Sequence, residues 1–186
     1  MRIAGMCFAR LRDHSGRYAL LLNSGHLQYN NARILSPIGG GLKLYPEGRR
    51  YLETLGASDF EGTDVRLYVP DNATDRAIAW FRSRQQRERS VLRELVEELT
   101  DETDILSAAE VRGAIEQIHD YRRFNATTTR RAVRDPRTAY LIEIFDVILP
   151  RMAMLILAHA AMLPVEGRWA HFVTEAEIKA GVSKDG

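Results

Sequence analysis

Ile3 to Leu11 is a nearly continuous apolar run, which reads as a β-strand. "DHSG" marks a turn and Tyr18 to Leu22 a second strand, so the chain is expected to open with a hairpin. In Ile34 to Leu44, "SPIGGGLKL" sets three consecutive glycines between apolar neighbours. That predicts a strand edge where the backbone must approach another group closely. Glu47 to Leu55 reads as a short helix stopped by Gly56, and "DVRLYVP" as a short strand closed by Pro70. From Thr74 to Leu99 the period is helical, with room for a break near the middle and with Thr74 or Asp75 as the N-cap.

Further along, Glu110 to His119 is expected to be helical, and "YRRFNATTTRRAVRDPRT" is arginine-rich and turn-prone around Asp135 and Pro136. "AYLIEIFDVIL" alternates as a strand, with β-branched and aromatic residues in support. Met152 to Met162 fits a helix better than a buried strand, and "RWAHFV" reads as a last strand. "TEAEIKAG" carries the marks of a short capped helix: Thr174 at the N-cap, Glu177 three residues on, Gly181 at the end. No internal repeat or low-complexity linker interrupts the chain. Strands before and after one strong helix predict an α+β fold, a mixed sheet with helices on its faces.

A length of 186 residues suits a single domain with one core. The formal net charge of +1 supplies no global field to recruit nucleic acid or a membrane surface. Lysine occurs only at Lys43, Lys179 and Lys184, so the cationic residues are nearly all arginine. Base composition of the genome accounts for that bias as well as selection for phosphate binding does. Cys7 is the only cysteine, so no disulfide forms within the chain, and its place in an apolar run marks an inert core residue. The N-terminal stretch lacks a long apolar segment, and Met152 to Leu163 is too short to span a bilayer. A soluble, cytoplasmic protein is expected.

Chemistry concentrates in "RERSVLRELVEEL", Arg87 to Leu99. At about 100° per residue, Val91, Leu92, Leu95, Val96 and Leu99 share one broad face and are expected to be buried. Glu94, Glu97 and Glu98 share another face, roughly 140° away on the same wheel. Three carboxylates at these spacings repel one another, and a divalent cation reverses the sign of that interaction. The plain alternative is a solvated acidic face balanced by Arg87, Arg89 and Arg93.

The order of the residues goes further. "RELVEEL" at Arg93 to Leu99 resembles the core of the Nudix box, REUxEExGU with U a bulky aliphatic, and "SPIGGGL" resembles the Pro-Gly-Gly strand that precedes it. Along nearly the whole chain, "LSPIGGGL", "YLETLGA", "DVRLYVP", "WFRSRQQRERSVLRELVEEL" and "HFVTEAEI" resemble the SMODS-associated Nudix group. Two departures stand out: Thr100 occupies the box's usual glycine, and Gln85 and Ala79 occupy its earlier glutamate and first glycine. The resemblance moves that glutamate's role to Glu88. More than 40 residues separate the triple glycine from Arg93, so Pro46 to Arg84 is an insertion. Its apolar residues Tyr51, Leu52, Leu55, Val65, Leu67 and Val69 predict an ordered one.

The resemblance implies a Nudix-type α/β/α sandwich over residues 1–186, with the insertion at about 46–84. It implies hydrolysis of a nucleoside diphosphate linked to another group, with Mg²⁺ or Mn²⁺ as cofactor. Glu94, Glu97 and Glu98 would hold the metal, with Glu88 and a backbone carbonyl at Gly39 or Gly40 as further ligands. Glu97 or Glu98 would take a proton from the attacking water, and Arg93 would orient a glutamate, Glu88 among them. The group's setting implies antiviral signalling in bacteria beside a SMODS nucleotidyltransferase; a homodimer is left open. The retained glutamates favour an enzyme, while Gln85 and Thr100 leave room for a sensor that binds a nucleotide without cleaving it.

Six arginines fall between Arg122 and Arg137, and Arg130, Arg131 and Arg134 are candidate substrate-phosphate ligands, against a solvated hairpin as the alternative. His119, His159 and His171 have no ligand-like spacing. Of the adjacent Trp80 and Phe81, one is expected in the core; Tyr29, Tyr45 and Phe124 are the candidates to stack a base.

Overall fold

The structure, a computed structural model, describes residues 1–23, 34–113, 118–127, 138–164 and 169–181. The strands are β1 (Arg2–Leu11), β2 (Tyr18–Leu22), β3 (Leu35–Pro37), β4 (Gly39–Gly41), β5 (Arg66–Tyr68), β6 (Ile118–Thr127), β7 (Thr138–Val147) and β8 (Ala170–Val173). The helices are α1 (Pro46–Thr54), α2 (Thr74–Ser83), α3 (Leu92–Val96), α4 (Ala108–Arg112), α5 (Arg151–Ala160) and α6 (Glu175–Ala180). A five-stranded sheet runs β4-β1-β7-β6 with β5 also paired to β1, and a three-stranded sheet runs β3-β2-β8.

The expected opening hairpin is only half right. Asp13 N–H donates to Arg17 O at 3.0 Å and Arg12 bridges Tyr18, so the turn forms. β2 then leaves β1 and pairs antiparallel with β3 and β8. The helix expected at Glu110 to His119 is also shorter. It ends at Arg112, and Ile118 to Thr127 is strand. Ile118, Tyr121 and Thr127 suit an extended chain, a preference the helical reading had set aside.

The chain divides into two compact units. One comprises Met1–Phe8, Gly40–Val91 and Tyr121–Ile144. It contains the insertion, which folds into α1, β5 and α2. Leu52, Leu55, Val65, Leu67 and Val69 are buried as expected, while Tyr51 stays largely exposed. Both Trp80 and Phe81 are buried, against the expectation of one. α1 and α2 approach closely enough that a Cβ on Gly48 would lie 2.8 Å from Trp80 and 2.5 Å from Gln86 O. On β1, a Cβ on Gly5 would lie 2.5 Å from Phe81.

The break expected in the long helix is real and wide. α2 ends at Ser83, Arg84 and Gln86 take left-handed backbone at φ 57° and 61°, and helix resumes only at Leu92. Between the two helices the backbone pairs with Lys43–Tyr45: Tyr45 N–H donates to Gln86 O at 3.1 Å and Glu88 N–H to Lys43 O at 2.8 Å. The insertion therefore leaves and rejoins the chain at one place. Arg87 sits there, 1% exposed, beside Glu143, also 1% exposed. Its Nη2 donates to Glu143 Oε1 at 2.8 Å and to Phe81 O at 2.7 Å, its Nε to Phe81 O at 3.0 Å, and its Nη1 to Glu88 O at 2.7 Å. The guanidinium lies 3.8 Å from the centre of the Phe81 ring. Burial pushes its pKa down while Glu143 holds it up.

The second unit comprises Ala9–Gly39, Leu92–Asp120 and Phe145–Gly186. Leu21, Leu22, Ile38, Leu95, Leu99, Val111, Phe145, Leu157 and Val173 form its core. Arg10 holds Asp146 through two bonds of 2.5 and 2.6 Å. α5 and the capped α6 appear where the sequence places them, with Thr174 and Glu177 forming a reciprocal capping box and Gly181 at φ 71°.

Glu143→Gln should lower the stability of the protein by about 3 kcal/mol or more, because it leaves a buried guanidinium without its counter-charge. In a double-mutant cycle with Arg87→Met, read by urea unfolding, the second substitution should cost much less than it does alone. Additive losses would show that the two residues act independently.

Candidate active site

The acidic stretch folds as α3 followed by a wider π-helical turn, Glu97–Glu102. Val91, Leu95 and Leu99, four residues apart, are fully buried. Leu92 and Val96 are only half-buried, and Glu94 is buried in their place. Arg93 makes that tolerable: its Nη2 donates to Glu94 Oε1 at 2.6 Å and its Nη1 to Glu97 Oε2 at 2.9 Å. Thr103 Oγ1 closes the turn by donating to Glu98 O at 2.7 Å.

Glu98 is half-buried, and its Oε1 accepts from Gly39 N–H at 2.8 Å. Gly39 has φ 142°, a backbone that L side chains rarely adopt, so glycine is needed to aim that N–H. The close approach expected of the triple glycine also holds at Gly41, where a Cβ would lie 2.3 Å from Asp64 Oδ2. Burial raises the pKa of Glu98 to about 8; the Gly39 bond opposes the rise, and the charges of Glu94, Glu102 and Glu97 add to it. Glu102 is thus part of this acidic field, which the motif alone does not include.

Arg93, Glu94, Glu97, Glu98 and Gly39 lie in one compact unit; Glu88 and Gly40 belong to the other. Glu88 Oε2 accepts from Lys43 N–H at 3.0 Å. Arg130, Arg131, Arg134 and Tyr29 lie outside the described residues, as does the side chain of Phe124. Tyr45 is exposed. The donor set is hard carboxylate oxygen, which suits Mg²⁺ or Mn²⁺. Among the described residues no three His, Cys, Asp or Glu side chains converge as a ready metal cluster. Arg93 instead engages Glu94 and Glu97, and the Gly39 N–H engages Glu98.

The α+β architecture, a mixed sheet with six helices among the described residues, is of Nudix type. The SMODS-associated NUDIX domain matches residues 1–186, the whole chain, and the protein belongs to that family. No curated protein and no solved structure matches it. Membership points to a nucleotide-linked hydrolase or sensor, in a superfamily that generally uses divalent metals. No helix among the described residues is long and apolar enough to cross a membrane.

In metal-free buffer the folded state holds the Glu98 proton more tightly than the unfolded chain, whose carboxyl titrates near 4.5. Stability should therefore fall as pH rises from about 4.5 to about 8 and then level off. Glu98→Gln should remove that component and be the more stable protein at pH 8, by on the order of 1 kcal/mol or more. Parallel pH profiles of the two melting temperatures in chelator would disprove it.

Proposed function

We propose that this protein is a metal-dependent hydrolase of a nucleoside diphosphate linked to another group, working in bacterial antiviral nucleotide signalling. One observation carries the reading: Arg93 holds Glu94 and Glu97, and the Gly39 N–H holds Glu98, within one compact unit, on the stretch that matches the core of the family's box. Glu94, Glu97 and Glu98 would hold Mg²⁺ or Mn²⁺, with the carbonyl of Gly39 as a further donor. When bound, the cation neutralises the diphosphate oxygens and lowers the pKa of a bound water. Loading requires Glu94 and Glu97 to turn from Arg93, which makes Arg93 a positioning residue. Glu97 or Glu98 takes the proton of the attacking water as a phosphorus–oxygen bond of the diphosphate breaks.

A second reading, a sensor that binds a nucleotide without cleaving it, draws support from the Arg93-engaged carboxylates and from Gln85 and Thr100 at two box positions. Turnover of a panel of nucleoside diphosphate derivatives with Mg²⁺ and Mn²⁺ separates the two. Glu97→Gln and Glu98→Gln should each lower the rate by on the order of 10²-fold or more while the fold persists. Melting shifts with nucleotide but no turnover of any substrate would favour the sensor.

A further inference from the structure

The compact unit that carries the acidic turn also holds a cleft of about 370 Å³, in the range of small-molecule sites. Asp104 and Ile105, just past the acidic turn, form one side; Ile156, His159 and Leu163, on and after α5, form another, with Trp169 beside them. We propose that this cleft seats the base of the nucleotide, and that the base is guanine. The inference rests on the nucleotide reading above.

Among the described residues that line the cleft none is lysine or arginine, and Asp104 brings a negative charge to it, which favours a base over a phosphate there. Ile105, Ile156 and Leu163 offer an apolar seat, and the half-buried Trp169 an indole for a flat ring to stack on. An ionised carboxylate only accepts hydrogen bonds, so the edge of the ligand at Asp104 must donate. Guanine is the base with two adjacent N–H donors on its pairing edge. The Asp104 backbone is fixed in the left-handed region, φ 50°, by an N–H bond to Thr100 O at 3.1 Å.

The cleft is also built onto the turn bearing the glutamates. Thr103 Oγ1 donates to Glu98 O at 2.7 Å and Ile105 N–H to Leu99 O at 3.0 Å. Glu98 lies on the turn and Asp104 just past its end, in the same compact unit. One unit can thus serve both ends of a nucleoside diphosphate.

The test titrates the full chain with GMP, IMP and UMP in chelator, following tryptophan fluorescence and heat. The three ligands share a phosphate and differ in the base. GMP should quench, and IMP, lacking one donor, should bind about tenfold more weakly. Asp104→Asn keeps a residue that tolerates left-handed backbone and should weaken GMP about tenfold while leaving IMP nearly unchanged. The GMP quench should vanish in Trp169→Phe. Equal affinity for the three nucleotides, no GMP binding, or an undiminished quench in Trp169→Phe would each overturn the assignment. GMP binding without turnover of any substrate would sink the hydrolase reading and leave the cleft standing. Turnover without GMP binding would do the reverse.

Discussion

A guanidinium and a carboxylate taken out of water together are costly to place, and costlier to separate. The Arg87–Glu143 pair stands where the insertion rejoins the chain. Arg87 does three things there at once. It answers the charge of β7, caps the Phe81 carbonyl in the last turn of α2, and fixes the Glu88 carbonyl next to it. Arg84 and Arg123 also reach Glu143, at 3.5 and 3.6 Å. The left-handed residues Arg84 and Gln86 would be strained in an isolated chain; here backbone bonds to Lys43–Tyr45 and the buried pair hold them. The break between α2 and α3 is therefore a built junction, not a frayed helix.

Electrostatics shapes the acidic turn in the opposite sense. Four glutamates, Glu94, Glu97, Glu98 and Glu102, lie on one helical turn and its continuation, and two of them are drawn out of water. Arg93 and the Gly39 N–H offset part of that repulsion. Burial raises the pKa of Glu98, and what is left of the repulsion adds to the rise. A site of this kind holds its own carboxylates apart and is relieved by any cation that binds them together.

The periodicity of the chain carried much of the fold. The strands at β1, β7 and β8, the helices α1, α5 and α6, and the caps at Thr174 and Gly181 all follow from local pattern. Local pattern misled where the partner was remote. Nothing near Tyr18 says that β2 will pair with β8, about 150 residues on. Thr74 looks like an N-cap, yet a 3-10 turn at Asp71–Ala73 precedes it and its hydroxyl bonds back to Pro70 O. Glu143 carried a usable signal: it falls in the buried phase of β7, between Leu141 and Phe145, where a carboxylate demands a cation. Which of 26 cationic residues answers it is not a local property.

The sequence by itself determined the family, the acidic stretch with its aliphatic spacing, and the glycines that let backbone approach closely. Those depend on residue type and on separations of a few positions. Only the tertiary structure decided that Arg93 engages Glu94 and Glu97, that Gly39 meets Glu98, and that Arg87 leaves the acidic stretch to bury itself against Glu143. Charge pairing depends on distance and burial in space, and residues 39 and 98, or 87 and 143, become neighbours only once the sheets have formed.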